Sequence, residues 1–220
     1  MIKYDLQFFG GRGAGLGSGG GGGLSRANIL NETDVWSYRH NRNNAPFVDS
    51  INTAARNLQE EFPDLMQHVT SVNAATLGGK DASTLGYYDR LSRSVSLNTN
   101  YTNINKMNTV YDSDKTFHPS RGNRDAVEAV TAHEMGHAIT GMVAEKMGLD
   151  YDTAARRIVN NAYKNTGGKG GKSWAGKISG YAKTNNSECI AEAVCDVFCN
   201  GNKATSQSKA IYTELKKIGG

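Results

Sequence analysis

Cysteine is scarce in this 220-residue chain. There are three, all between Cys189 and Cys199. An odd number in one short stretch cannot form a disulfide framework, and this usage favours a reducing compartment. Long hydrophobic runs are missing too. No apolar stretch is long enough to span a bilayer, and the mean hydropathy of -0.54 suits a soluble domain. Met1 to Gly10 hold one lysine and no long apolar core, so no secretory signal is read there. A strong excess of charge is also lacking: 25 Lys and Arg face 21 Asp and Glu, a net +4. Apart from Lys169 to Lys177 the cations are spread out, so neither a nucleic-acid nor a membrane partner is expected.

Glycine is plentiful, but in one place. From Gly10 to Gly23, ten of fourteen residues are glycine. Such a segment buries no core and reads as a flexible, disordered tether. The chain therefore divides into a leader and Gly-rich linker at 1–23, a polar Asn/Arg-rich connecting segment at 24–45, and a folded domain at 46–220. The leader is either a disordered tail or a docking peptide anchored by Leu6, Phe8 and Phe9.

Within the domain, Pro46 opens a 3.6-residue rhythm (Phe47, Val48, Ile51, Ala54, Ala55, Leu58, Phe62) that ends at Pro63, predicting a helix over 46–61. A strand is expected at 69–75. A hairpin follows, turning near Asp89-Arg90, with a strand over 92–98 that places Leu91, Arg93, Val95 and Leu97 on one face. That strand, just before the central motif, is a candidate edge for pairing with an extended peptide. Later helices are predicted over 152–164, from Asn185, Asn186 or Ser187 to about Phe198, and over 203–218, with a glycine-lysine loop at 166–171.

The central motif is His133-Glu134-Met135-Gly136-His137, an HExxH. Two histidines at i and i+4 lie on one helix face and can share a zinc ion, with Glu134 placed as base toward a zinc-bound water. The helix is predicted over 123–146, with Asn123 or Ser120 as cap, Asp125 favourable to the dipole and Gly148 at the exit. Gly136 costs a helix about 1 kcal/mol relative to alanine, so something is expected to pack close to the backbone there.

Catalytic zinc needs a third protein ligand and an open position. A metzincin would place a histidine at Val143 and a glycine at Thr140, so this is not one. Glu188 and Glu192, one turn apart on a later helix, are the candidates: one to bind the metal, the other to hydrogen-bond a ligand histidine. Tyr181, the tyrosine nearest Glu188 in sequence, is positioned to donate to an oxyanion. Cys195 and Cys199 are also one turn apart, but small buried cysteines are the more usual reading of such a pair. His40, His68 and His118 have no evident partners.

The segment Tyr181-Ala-Lys-Thr-Asn-Asn-Ser-Glu188-Cys-Ile-Ala-Glu192-Ala is similar to the zinc-binding region of the anthrax lethal factor catalytic domain family, as is His133-Glu-Met-Gly-His137. The resemblance implies a gluzincin-like fold with His133, His137 and Glu188 on zinc. It also implies Glu134 as base, Tyr181 assisting catalysis and Glu192 close behind. Asn185-Asn186-Ser187 and Cys189 depart from it. Separately, Tyr4-Asp-Leu-Gln-Phe-Phe-Gly-Gly-Arg-Gly-Ala14 resembles the leader of proteins encoded in phage and prophage structural-gene regions.

The expectation is thus an α+β zincin-like metallopeptidase domain, mostly helical with a small sheet. It would hydrolyse peptide bonds in a protein or peptide substrate, in the cytoplasm of a bacterial host or associated with a virion. The alternative is a virion or assembly component docked to a capsid or portal protein through the leader, with a metal site serving structure only. A toxin domain aimed at a host or competitor protein is a third possibility.

Overall fold

The computed structural model describes residues 45–77, 82–167 and 171–220. The leader and linker at 1–23, the connecting segment through residue 44 with His40, the loop residues 168–170 and residues 78–81 lie outside the described residues. In chain order the elements are α1 (Ala45–Glu61), α2 (Leu65–His68), β1 (Ser71–Ala75), β2 (Gly86–Asp89), β3 (Ser94–Asn98), α3 (Ile104–Tyr111), α4 (Ala126–Met147), α5 (Tyr151–Thr166), α6 (Lys172–Ala175), α7 (Asn186–Asn200) and α8 (Ser206–Gly219). The described part is mostly helical with one three-stranded sheet. None of its helices is long and apolar enough to cross a membrane.

The fold is built around α4, which packs against α1, α5, α7, α8 and the sheet. Its apolar residues do not form the single stripe expected; almost every residue from Ala126 to Ala144 is buried. A helix apolar on all sides belongs at the centre of a core. The two buried threonines fit because each hydroxyl donates to a carbonyl one turn back, Thr131 to Val127 at 2.7 Å and Thr140 to Gly136 at 2.8 Å.

The start of α4 corrects the sequence reading: neither Asn123 nor Ser120 caps it. Asp125 Oδ1 accepts from the Glu128 amide at 2.9 Å, and Glu128 Oε2 accepts from the Asp125 amide at 3.1 Å. This capping box satisfies two helix-end donors, where a lone Asn123 would satisfy one. Gly148 closes the helix in the left-handed region at φ 63°, the conformation glycine adopts most readily.

The sheet has the order β1-β3-β2, with β1 parallel and β2 antiparallel to β3. This overturns β3 as an edge for a substrate: it lies between the other two strands. Among the described residues, the strand with a free side next to α4 is β2. The hairpin turn also reaches further than the alternation suggested, over 90–93, so β3 starts at Ser94 rather than at residue 92. Asp89 Oδ1 accepts from the Leu91 amide at 2.9 Å, and Arg93 sits at φ 54°. Leu91 is consequently at the tip and 87% exposed, not on the strand face. All of β3 is buried, serines included, because both faces are covered. His68, without an evident partner in the sequence, joins α2 to β2 and α4. Its Nε2 lies 3.0 Å from the Tyr88 hydroxyl and its Nδ1 3.2 Å from Glu145 Oε2.

The later helices start and end within a few residues of expectation. α2, α3 and α6 were not foreseen; the two flanking ones have four residues each, too few to show periodicity. α7 lies along α4, and Gly136 marks the crossing. A Cβ there would stand 2.8 Å from Ala191 Cα and 3.2 Å from Val194 Cβ. Gly136→Ala is therefore expected to destabilise the protein. About 1–3 kcal/mol of overpacking opposes the roughly 1 kcal/mol that alanine gains in a helix. Urea unfolding checks this, and an alanine variant as stable as the parent would mean the helices do not cross this closely.

Candidate metal centre

The α4–α7 crossing brings four chemically active side chains together. α4 carries His133 and His137, one turn apart on one face. α7 is capped by Asn185, whose Oδ1 accepts from the Glu188 amide at 2.9 Å. That cap puts Glu188 in the first turn, where the helix dipole favours a carboxylate, and Glu192 one turn deeper. His133, Glu134, Glu188 and Glu192 are all at least nine-tenths buried.

Glu188 Oε2 lies 3.2 Å from His133 Nε2 and 3.3 Å from His137 Nε2. It is buried and makes no aligned hydrogen bond. Donors around a tetrahedral zinc at about 2.0–2.1 Å stand about 3.3–3.4 Å apart, so the two Glu188 contacts are compatible with ligands to a common ion as well as with ion pairs. His133, His137 and Glu188 form a group that could hold a metal ion.

Each histidine is held from its far side by a different residue. His133 Nδ1 lies 2.8 Å from Glu192 Oε1, an ion-pair distance, though off the line of a straight N–H···O bond. His137 Nδ1 lies 3.1 Å from the Tyr151 hydroxyl. With a proton on each Nδ1, both Nε2 lone pairs face Glu188, the tautomer metal binding needs. Glu192 therefore faces the ring edge opposite Glu188, and the two glutamates do different work. Tyr151 was missed by the sequence reading because nothing local marks it. It opens α5 across a short turn, and only the fold brings it to His137. The Arg90 guanidinium lies over its ring, 4.7 Å from the centroid.

The electrostatics call for a cation. Burial opposes charge on Glu188, but His137 and His133 more than offset it and hold its carboxyl well below the usual range. Burial likewise opposes charge on Glu192, and His118 and His133 outweigh it, leaving its pKa at about 2. Burial would lower His133, yet the two facing carboxylates raise it well above an ordinary histidine. Two buried anions around one imidazole require a positive charge, supplied by a proton or a metal ion. Glu134 differs: burial pushes its carboxyl up, and the two histidines only partly offset this.

His133, Glu134, His137 and Glu188 open on a cavity of about 330 Å³ that is also lined by Gly86, Tyr87 and Tyr88 of β2, by Arg90, Tyr151 and Tyr181, and by Asn185 to Ser187. β2 lies close over α4 here: a Cβ on Gly86 would stand 2.9 Å from Val130 Cγ1 and 3.3 Å from Glu134 Cγ. Tyr181, in a short 3-10 turn before α7, stacks on His133 with centroids 5.9 Å apart and planes at 28°. His118, given no partner by the sequence, is buried with Nδ1 3.2 Å from Glu192 Oε1.

The cysteines stand apart. Cys189 and Cys195 are buried and Cys199 is half-buried. Burial pushes the Cys189 thiol up to about 12. Hydrogen bonding to Cys199, together with burial, holds the Cys195 thiol well above the ordinary thiol range. Protonated thiols of this kind are poor ligands and nucleophiles. Comparison with protein-family models, with curated proteins and with solved structures gives no match for this chain.

Proposed function

We propose that this chain is a zinc-dependent peptidase of zincin type, hydrolysing peptide bonds in a protein substrate. The observation that carries the reading is a set of three donors, His133, His137 and Glu188, opening on a cavity beside the buried carboxylate of Glu134. A structural zinc site closes with four protein ligands and needs no base, whereas a catalytic one keeps a position open. Two imidazoles and a carboxylate suit zinc among the common metals.

When bound, zinc supplies Lewis acidity and lowers the pKa of a water. The remaining work falls to the chain. Glu134 takes the proton of the attacking water and later returns it to the leaving amine. Its raised pKa suits both halves of that exchange. Tyr181, whose ring lies against His133 at the cavity wall, donates its phenol to the oxyanion that develops on the scissile carbonyl. β2 offers backbone groups on the cavity side, so an extended peptide adds to it as a further strand. Asn185 to Ser187 also line the cavity.

Elemental analysis of the purified protein, followed by incubation with a mixture of unstructured polypeptides, tests the proposal. One zinc per chain and cleavage abolished by a chelator are expected. A protein that takes up no zinc at neutral pH would sink the reading.

A further inference from the structure

His118 has no part in the chemistry above, yet it is 8% exposed and points at the metal centre's back wall. Its Nδ1 lies 3.2 Å from Glu192 Oε1, and that same oxygen lies 2.8 Å from His133 Nδ1. One carboxylate oxygen thus takes two imidazoles, in a chain His118–Glu192–His133 with Glu192 only 1% exposed. A glutamate has three side-chain torsions, and a single contact with His133 leaves its carboxylate free to swing. A second donor from a different segment removes that freedom.

The segment carrying His118 also holds Tyr181. The Thr116 and Phe117 carbonyls accept from the Gly180 and Tyr181 amides at 2.7 and 2.9 Å. The Phe117 and His118 rings lie 5.1 and 5.7 Å from the Tyr181 ring. The segment is itself anchored, since Tyr111 stacks on His118 at 5.1 Å and donates its hydroxyl to the Pro119 carbonyl at 3.1 Å.

We propose that His118 is a positioning residue that, through Glu192, sets the tautomer and orientation of the metal-facing His133, while its segment holds Tyr181 in register with that ring. The inference rests on the peptidase reading of the centre. It differs from a packing role for the His118 ring in what must be kept: the donor at Nδ1, not the aromatic surface.

Two substitutions separate these roles. His118→Phe keeps a ring among Tyr111, Phe117 and Tyr181 and loses the donor. His118→Asn loses the ring and keeps an N–H near the Nδ1 position. Zinc affinity is measured by competition with a chromophoric chelator, and the visible bands of the cobalt(II)-loaded protein report ligand geometry. His118→Phe is expected to bind zinc about 10–100-fold more weakly, the effect of losing an outer partner of a metal ligand, with shifted cobalt bands. His118→Asn is expected to stay near the parent. Glu192→Gln should weaken zinc binding at least as much, with no further loss when combined with His118→Phe.

Parental affinity and unshifted bands in His118→Phe would overturn the proposal. So would a His118→Asn variant as weak as the phenylalanine one. If circular dichroism shows His118→Phe unfolded, His118→Asn and Glu192→Gln decide: a weakened asparagine variant or a Glu192→Gln protein with parental affinity overturns the proposal. A parent protein that binds no metal removes the peptidase reading itself. A parent that binds zinc beside an unaffected His118→Phe removes only the positioning role.

Discussion

A Glu134→Gln protein is expected to hold zinc as the parent does while hydrolysing peptide about 100- to 10,000-fold more slowly, the usual worth of a positioned general base. The amide fills the same volume, so the packing of α4 against β2, where Gly86 leaves no room for a Cβ beside Val130 and Glu134, is kept. What is lost is a basic oxygen at the cavity wall. Glu134 is not among the three donors, and metal content should not follow activity down. Removing a raised carboxyl from a buried position also removes a desolvation cost, so the variant should unfold at the parent's temperature or slightly above. Chelator competition, a melt and a cleavage assay on one preparation check all three. A variant that cleaves at the parental rate would sink this mechanism and leave the metal a structural or other task.

Glu188→Ala is expected to abolish stoichiometric zinc. Its carboxylate oxygen is the common neighbour of both Nε2 atoms, at 3.2 and 3.3 Å. Two histidines alone leave zinc one protein ligand short. The fall in affinity should exceed the about 10–100-fold that outer partners contribute. Glu192 cannot replace it, because it faces Nδ1 of His133 across the ring. Elemental analysis of both proteins after identical dialysis gives the answer. Equal zinc would take Glu188 out of the centre.

The local features of this centre were legible because they depend on residues close in sequence. An i, i+4 pair of histidines shares a helix face whatever the rest of the chain does. A cap at Asn185, Asn186 or Ser187 followed by an apolar rhythm marks the start of α7 to within two residues, and the i, i+4 spacing of Glu188 and Glu192 separates them by one turn; the structure selects Asn185. Gly136 was legible too, as a helix residue with poor propensity that needs a packing reason, and Ala191 supplies it. Where local rules offered several answers, the choice among them was lost. Asp125 rather than Asn123 caps α4 because Glu128 completes the box. β3 looks like an edge strand in sequence, since strand order depends on pairings between distant segments.

The sequence by itself determined the helices that carry the donors and the spacing of those donors along each helix. It also contained the change in composition after the glycine-rich stretch at 10–23. Only the tertiary structure decided which glutamate faces which nitrogen, that Tyr151 and His118 stand behind the centre, and that β2 rather than β3 borders the cavity. The reason is range. Helix periodicity and capping are settled within one or two turns, by hydrogen bonds and torsions of neighbouring residues. The environment of a histidine nitrogen is settled by packing between segments tens of residues apart, which no local pattern records.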